Sequence, residues 1–178
     1  MVLTVEERKL FWKNWLGLLA FVNDVYKIDA EFNHPNTPVG MNINTGLKIS
    51  KKLFLDTSII DEFVNANKIT GEDRELLLSW KRYVKSTFIA LKQLKKHCVL
   101  CDEENNKWYG ITGITASIEE TMRELPCIME TVLIPFKNKI IYNTFIENYN
   151  VIIGRNIRRE LMENYKRVKM ENGIINKL

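Results

Sequence analysis

The chain has 178 residues, of which 46% are hydrophobic and 27% are charged, and its formal net charge is +4. A chain of this length buries a substantial apolar core without disulfide bonds. The weak positive charge neither requires nor excludes nucleic acid as a partner. The odd number of cysteines, three, and the lack of a signal-peptide pattern predict a reducing, cytoplasmic environment.

The first predicted helix begins after Thr4 and runs to about Ile28. Thr4 and Glu7 have the spacing of a capping box, in which each side chain accepts a hydrogen bond from the other residue's backbone N–H. Large apolar residues, including Trp12 and Trp15, cover more than one face. Such a helix is either central to the core or has one face against another subunit. Polar residues interrupt its apolar run, so no membrane span is predicted.

Residues 33–46 contain two prolines, two glycines and several asparagines, and we expect them to form the longest loop. His34 lies in this loop, where we expect it to be exposed. A helix over residues 47–55, a second opened by Asp56 or Thr57, and a third capped by Thr70 follow the loop. The helical spacing of apolar residues in the third continues to Val84.

After Ser86 the apolar period changes from that of a helix to that of a strand. The segments "STFIALKQL", "HCVLCDE" and "KWYGITGI" are short and rich in β-branched and aromatic residues, with a hairpin turn at residues 103–106 between the last two. Residues 117–125 form a short helix or a loop. Two more strands, 129–136 and 139–146, meet at Lys137-Asn138, where asparagine tolerates the left-handed conformation of a tight turn.

These elements predict an α+β protein. An N-terminal helical lobe, residues 1–85, packs on a small antiparallel, partly closed β-sheet or barrel, residues 86–154, and the chain ends in a C-terminal helix and tail, residues 155–178. A doubly wound parallel sheet is not expected, because only residues 117–125 provide a crossover helix between strands.

No catalytic constellation is recognisable in the chain, and no cofactor or metal is predicted. The common nucleophile, phosphate-loop, zinc-protease and dinucleotide motifs are missing. Cys98 and Cys101 form one Cys-x-x-Cys beside His97, but zinc requires about four converging ligands. Because residues three apart on a strand point to opposite faces, buried thiols are a better interpretation than a metal or redox site.

Basic residues supply the candidate binding site. Lysines at one hairpin and arginines on the last helix are suited to phosphate contacts, with a tyrosine or Trp108 to stack on a base. Glu160 and Glu163 alternate with the arginines, however, which is the pattern of a solvated helix. Both interpretations stay open. The candidate residues are Lys137, Lys139, Tyr142, Arg155, Arg158 and Arg159.

Four segments in order, "LLLSWKRYVKSTFIALKQLKKHCVL", "YGITGIT" with "IEE", "LPCIMETVLIPFKNKIIYNTFI" and "YNVIIGRNIRRELMENY", resemble an uncharacterised bacterial family. That family has a Leu-Pro-Phe-Lys-x-x-Ile-Ile-Tyr-Asp hairpin and a final Gly-x-x-Ile-Arg helix, and the resemblance covers about residues 70–169. Some members carry a zinc motif like the tail of the bacterial secretion ATPase, which is absent here, and Asn143 replaces the hairpin Asp. The resemblance implies a fold and no activity.

Two hypotheses for function follow. The first is a non-enzymatic cytoplasmic module for protein interaction or self-association, in which a protein partner or a second copy meets the aromatic-rich N-terminal helix. The alternative is a nucleic-acid-binding module that uses the β-sheet and the basic C-terminal helix. No membrane partner is predicted.

Overall fold

A computed structural model describes residues 1–32, 41–122 and 124–178. Residue 123 and residues 33–40, with His34 and much of the predicted loop, lie outside the described residues. The chain divides into a helical unit, Thr4–Lys81, and a unit built on strands, Met1–Leu3 with Arg82–Leu178. The fold class is α+β, as predicted. None of the described helices is both long enough and apolar enough to cross a membrane.

The helical unit contains four described helices, whose starts depend on local hydrogen bonds. The capping box is confirmed, because Thr4 and Glu7 bond to each other's backbone N–H. The second helix begins inside the predicted loop, because the Asn42 side chain accepts hydrogen bonds from the N–H groups of Asn44 and Thr45. The helices are α1 (Val5–Tyr26), α2 (Ile43–Leu53), α3 (Ser58–Ala66) and α4 (Gly71–Ser79).

Aromatic rings form the core of the helical unit. Phe11, Trp15 and Trp80 are fully buried, and the ring centroids of Trp15 and Trp80 lie 5.6 Å apart. Helix α1 packs against α2, α3 and α4, so it is the central helix of this unit. The prediction that helical structure continues to Val84 is wrong. Helix α4 ends at Ser79, and Val84 begins a strand because its pairing with another strand outweighs the helical spacing.

Five strands of the second unit close into a barrel in the order β1-β2-β3-β5-β4, with β4 paired again to β1. Strand β3 is parallel to β5, and the other neighbours are antiparallel. This closed order, with a short helix between β3 and β4, is that of an OB-fold barrel. Its elements are β1 (Val84–Gln93), β2 (Cys98–Asp102), β3 (Lys107–Ile111), α5 (Ile118–Met122), β4 (Cys127–Phe136), β5 (Lys139–Tyr142), β6 (Glu147–Asn148), α6 (Arg155–Met170) and β7 (Ile174–Ile175).

Strand β1 closes the barrel because it pairs on both sides. Its residues 84–90 pair with β4 and its residues 89–93 pair with β2. The register shifts between Ala90 and Lys92, and such a bulge bends the strand from one neighbour towards the other. The first predicted hairpin turn is confirmed, with Asn106 at φ 50°. In the second turn the left-handed residue is Lys137, at φ 54°, and not Asn138.

Helix α6 covers the outer face of strands β1, β2 and β3. Five strand residues and two helix residues form an apolar cluster, here named the outer-face cluster. Strand β7 follows α6 and pairs with β3, which holds the end of the chain on the same side. OB barrels commonly bind nucleic acid or sugars across strands β2 and β3, and here that face is occupied by the chain itself. The cluster is Ile89, Leu91, Val99, Cys101, Trp108, Leu161 and Tyr165.

Candidate functional site

A cleft of about 420 Å³ opens where the chain enters β4 and leaves β6. One wall is the connection from α5 to β4, and the other is the connection from β6 to α6 with the first turn of that helix. A cleft of this volume falls in the range of ligand-binding clefts. It is lined by Met122, Glu124, Leu125, Pro126, Cys127, Asn148, Asn150, Val151, Ile152, Ile153 and Arg158.

Backbone hydrogen bonds hold the two walls in place. The N–H of Tyr149 donates to the carbonyl of Ile128 at 3.1 Å, which fixes the start of the second wall on β4. The N–H of Asn150 then donates to Asn148 Oδ1 at 3.0 Å, and Asn150 has a positive φ of 51°. This turn directs the next residues away from the sheet. The Arg158 guanidinium donates to the carbonyl of Leu125 and joins α6 to the first wall.

Apolar side chains on the second wall, two aliphatic and one aromatic, are exposed to solvent. Ile152 is 95% exposed, and Val151 and Tyr149 are about half exposed. On α6, Ile157 is also exposed, although it lies one helical turn from the buried Leu161. Single exposed apolar residues are ordinary, but four lie within nine positions here and two of them line the cleft, which makes this segment a candidate interaction site. We name Tyr149, Val151, Ile152 and Ile157 the apolar patch.

Three arginines stand beside the apolar patch. Arg155, Arg158 and Arg159 occupy the first five positions of α6, and residues at spacings of three and four lie on one side of a helix. All three are exposed. Among the described residues, Arg155 and Arg159 have no ion-pair partner, and the pairing of Arg159 with Glu163 that its one-turn spacing suggests is not formed. Within the cleft lining Arg158 is matched by Glu124, and Arg155 and Arg159 add positive charge on the same side of α6; we name the three arginines the arginine rim.

The structure separates the predicted site residues into three places. Lys137 and Lys139 lie at the far end of β4 from the cleft, a distance of roughly 25–30 Å at the rise of a strand. Tyr142 is buried in β5, where desolvation raises its pKa, an effect opposed by a hydrogen bond with Thr121. Of the six residues only Arg158 lines the cleft, and Arg155 and Arg159 lie beside it on the first turns of α6. The six residues thus do not form one surface.

The apolar patch was missed by reasoning from sequence. Its signal is the apolar run Val151-Ile152-Ile153, which lies between the turn-forming residues Asn150 and Gly154 and outside the predicted strands. Such a run in a predicted connection is unusual, because connections are mostly polar. The exposure of Ile157 gives no sequence signal, since it has the same helical spacing as buried Leu161.

The cysteines are separated by the strand alternation, as predicted. Cys101 belongs to the outer-face cluster, and Cys98, three residues earlier on β2, faces the barrel interior. Both thiols are free and buried, and so is Cys127. Burial is the main cause that raises the pKa of Cys98 and of Cys101 to about 12, with nearby acidic groups adding to the effect at Cys101.

We expect the native thiols to resist alkylation at neutral pH. A thiol reacts as its thiolate, and a pKa of about 12 leaves very little thiolate at pH 7. Mass spectrometry after a brief treatment with iodoacetamide should find Cys98 and Cys101 unmodified in the native protein and modified in urea. Complete labelling of either residue without urea would contradict this assignment of buried, inert thiols.

Comparison of the chain with protein-family models, with curated proteins and with solved structures finds no match. The class of protein is defined by the geometry alone. It is an α+β protein with an OB-type barrel and a cleft bordered by aliphatic and arginine side chains. The family resemblance of residues 70–169 stays a prediction.

Proposed function

We propose that the protein is a non-enzymatic protein-interaction module of the cytoplasm, and that its binding surface is the cleft with the apolar patch. The observation that carries this proposal is the exposure of Ile152, at 95%, on the wall of an open cleft. Burying one such side chain in a complex contributes about 1.5–3 kcal/mol. The patch also supplies the central apolar contact that protein interfaces require.

The predicted partner surface on α1 is less favoured. Two of its large rings, Phe11 and Trp15, are fully buried and pack on residues of the helical unit, and Trp12 is half-buried. Rings in that position stabilise the fold and are not accessible to a partner. We therefore move the proposed interaction surface from α1 to the cleft.

A nucleic-acid-binding module is the second candidate, and the strand order of the barrel and the arginines of α6 favour it. Single-stranded nucleic acids bind by stacking bases on exposed aromatic rings beside a basic groove. Trp108 and Tyr142, the rings predicted for this role, are 3% and 6% exposed. The cleft lining combines aliphatic residues such as Leu125, Val151 and Ile153 with polar ones and contains no aromatic ring, which suits a peptide better than a base.

Selection of displayed random peptides on the immobilised full chain tests the proposal. We expect enriched peptides that bind the wild-type protein and lose at least about tenfold in affinity to Ile152→Asp, since a charge in an apolar contact costs more than about 1.4 kcal/mol. The measurement is fluorescence anisotropy with each labelled peptide.

Ile43→Asp is the matched control, because Ile43 is also an exposed isoleucine, 72% exposed, but lies on the helical unit. It should leave the affinity unchanged. The proposal fails if no peptide is enriched, or if the two variants weaken binding equally. Circular dichroism of both variants shows whether either has lost its fold.

A further inference from the structure

We infer that the partner segment bound by this cleft is an acidic peptide, in which aliphatic residues alternate with aspartate or glutamate. This inference rests on the proposed function and adds the chemistry of the ligand. It follows from two features that meet at one place: the aliphatic lining of the cleft and the arginine rim on α6.

The aliphatic part of the ligand is set by the lining. Leu125 and Pro126 on one wall face Val151 and Ile153 on the other, with no aromatic ring among the lining residues. A branched aliphatic side chain is complementary to such walls, and its burial is favourable wherever water is displaced from both. Ile152 and Ile157 extend the apolar surface outside the cleft, so that a segment of several residues makes contact.

The acidic part of the ligand is set by charge. Within the lining and the first six residues of α6, three arginines are opposed by two carboxylates, those of Glu124 and Glu160, so this region keeps a positive excess of one charge. Arginine binds carboxylates through two parallel hydrogen bonds, and complementary charge at the rim of an interface selects the partner and speeds association. Arg158 uses one of its N–H donors on the Leu125 carbonyl and is held in place by that bond, and none of the hydrogen bonds among the described residues engages the guanidinium donors of the other two arginines, which are exposed.

A peptide is favoured over the other ligands of this charge. A phosphate backbone would meet the same arginines, but the cleft lining offers its bases no aromatic ring. The exposed ring of the apolar patch, Tyr149, donates its hydroxyl to the Glu130 carboxylate, and a carboxylate beside the ring disfavours a phosphate there. A neutral apolar ligand would satisfy the lining and leave the arginine rim without a partner. An acidic, aliphatic peptide is the class that satisfies both features.

The charge composition of the selected peptides is the first test. Peptides that depend on Ile152 should contain an excess of Asp and Glu over Lys and Arg, together with Leu, Ile or Val. Exchanging their acidic residues for Asn and Gln should weaken binding by about tenfold or more, as expected for several charge pairs at an interface rim. Their affinity should also fall as salt is raised.

Charge reversal on the helix is the second test. Arg155→Glu with Arg159→Glu should weaken binding of the acidic peptides by about tenfold or more. The matched control is Lys166→Glu with Lys169→Glu, which makes the same change of charge on exposed residues further along α6. The control should change affinity by less than about threefold, because charges beyond a Debye length are screened.

The outcomes separate this inference from the proposed function. Peptides that need Ile152 but carry no acidic excess, or that bind the Arg155→Glu, Arg159→Glu variant as well as the wild type, overturn the inference and leave the interaction module standing. Failure to enrich any Ile152-dependent peptide overturns both. Two other results would also overturn the peptide. If oligothymidylate or oligouridylate binds and Arg155→Glu with Arg159→Glu abolishes that binding, the surface belongs to nucleic acid. If light scattering shows self-association that Ile152→Asp abolishes, the surface belongs to a second copy of the chain.

Discussion

Trp15→Ala should lower the free energy of unfolding of the helical unit by about 3–5 kcal/mol, the range measured when a buried large aromatic side chain is removed. Trp15 is fully buried at the centre of α1. Its ring is stacked with Phe54 at 6.3 Å between centroids and meets the edge of Trp80 at 5.6 Å. A smaller side chain at position 15 leaves a cavity between the helices, next to Phe54 and Trp80.

Trp12→Ala is the matched control for this change. Trp12 is the same residue type on the same helix, three positions earlier, but it is only half-buried. We expect a loss of about 1–2 kcal/mol, in line with an ordinary partly buried substitution. Urea denaturation followed by circular dichroism measures both variants. Equal losses would show that Trp15 does not have the central packing role assigned to it.

Asp102→Ala should lower the free energy of unfolding of the barrel unit by about 1–3 kcal/mol, because the buried Ser86 hydroxyl loses this acceptor and two bonds from exposed Asn105 are removed. Asp102 is fully buried at the end of β2. Its carboxylate accepts hydrogen bonds from Ser86 Oγ at 3.0 Å, from the backbone N–H of Asn105 at 3.2 Å and from Asn105 Nδ2 at 3.0 Å. These bonds join β1 to the turn between β2 and β3.

Two further variants isolate the role of this carboxylate. Asp102→Asn keeps one acceptor oxygen and should cost less than the alanine variant. Glu103→Ala removes an exposed carboxylate from the neighbouring position and should change stability by less than about 0.5 kcal/mol. Hydrogen exchange of the β1 and β2 amides locates the effect. A stable Asp102→Ala protein with unchanged exchange in these strands would mean that the bonds to Ser86 and Asn105 contribute little.

The local elements of the fold could be predicted because their causes lie within a few residues. The capping box of α1 and the hairpin turn with Asn106 depend on neighbouring side chains and on one left-handed residue. The start of strand β1 could not be predicted in the same way. Val84 is held by pairing with β4, about 50 residues away, whereas the helical spacing of the apolar residues up to Val84 favours a helix. Strands β6 and β7 are two residues long and exist only through long-range pairing.

The candidate site shows the same division. The arginines of α6 could be found from sequence, because a helix of known phase shows which residues share a side. The distance between these arginines and Lys137 could not be predicted from sequence. Lys137 follows one end of β4, and the cleft beside the arginines lies at the other end. The burial of Tyr142 depends on barrel closure through the pairing of β1 with β4. Exposure of Ile152 depends on the turn at Asn150, which no single residue type requires.

The binding surface can be located by mapping amide chemical shifts of the full chain during titration with a selected acidic peptide. We expect the largest shift changes on residues 148–153 and 155–159, which form the connection from β6 to α6 and the first turns of that helix. Shift changes concentrated at Lys137 to Lys139, or a saturating titration that leaves the cleft resonances unmoved, would contradict this expectation.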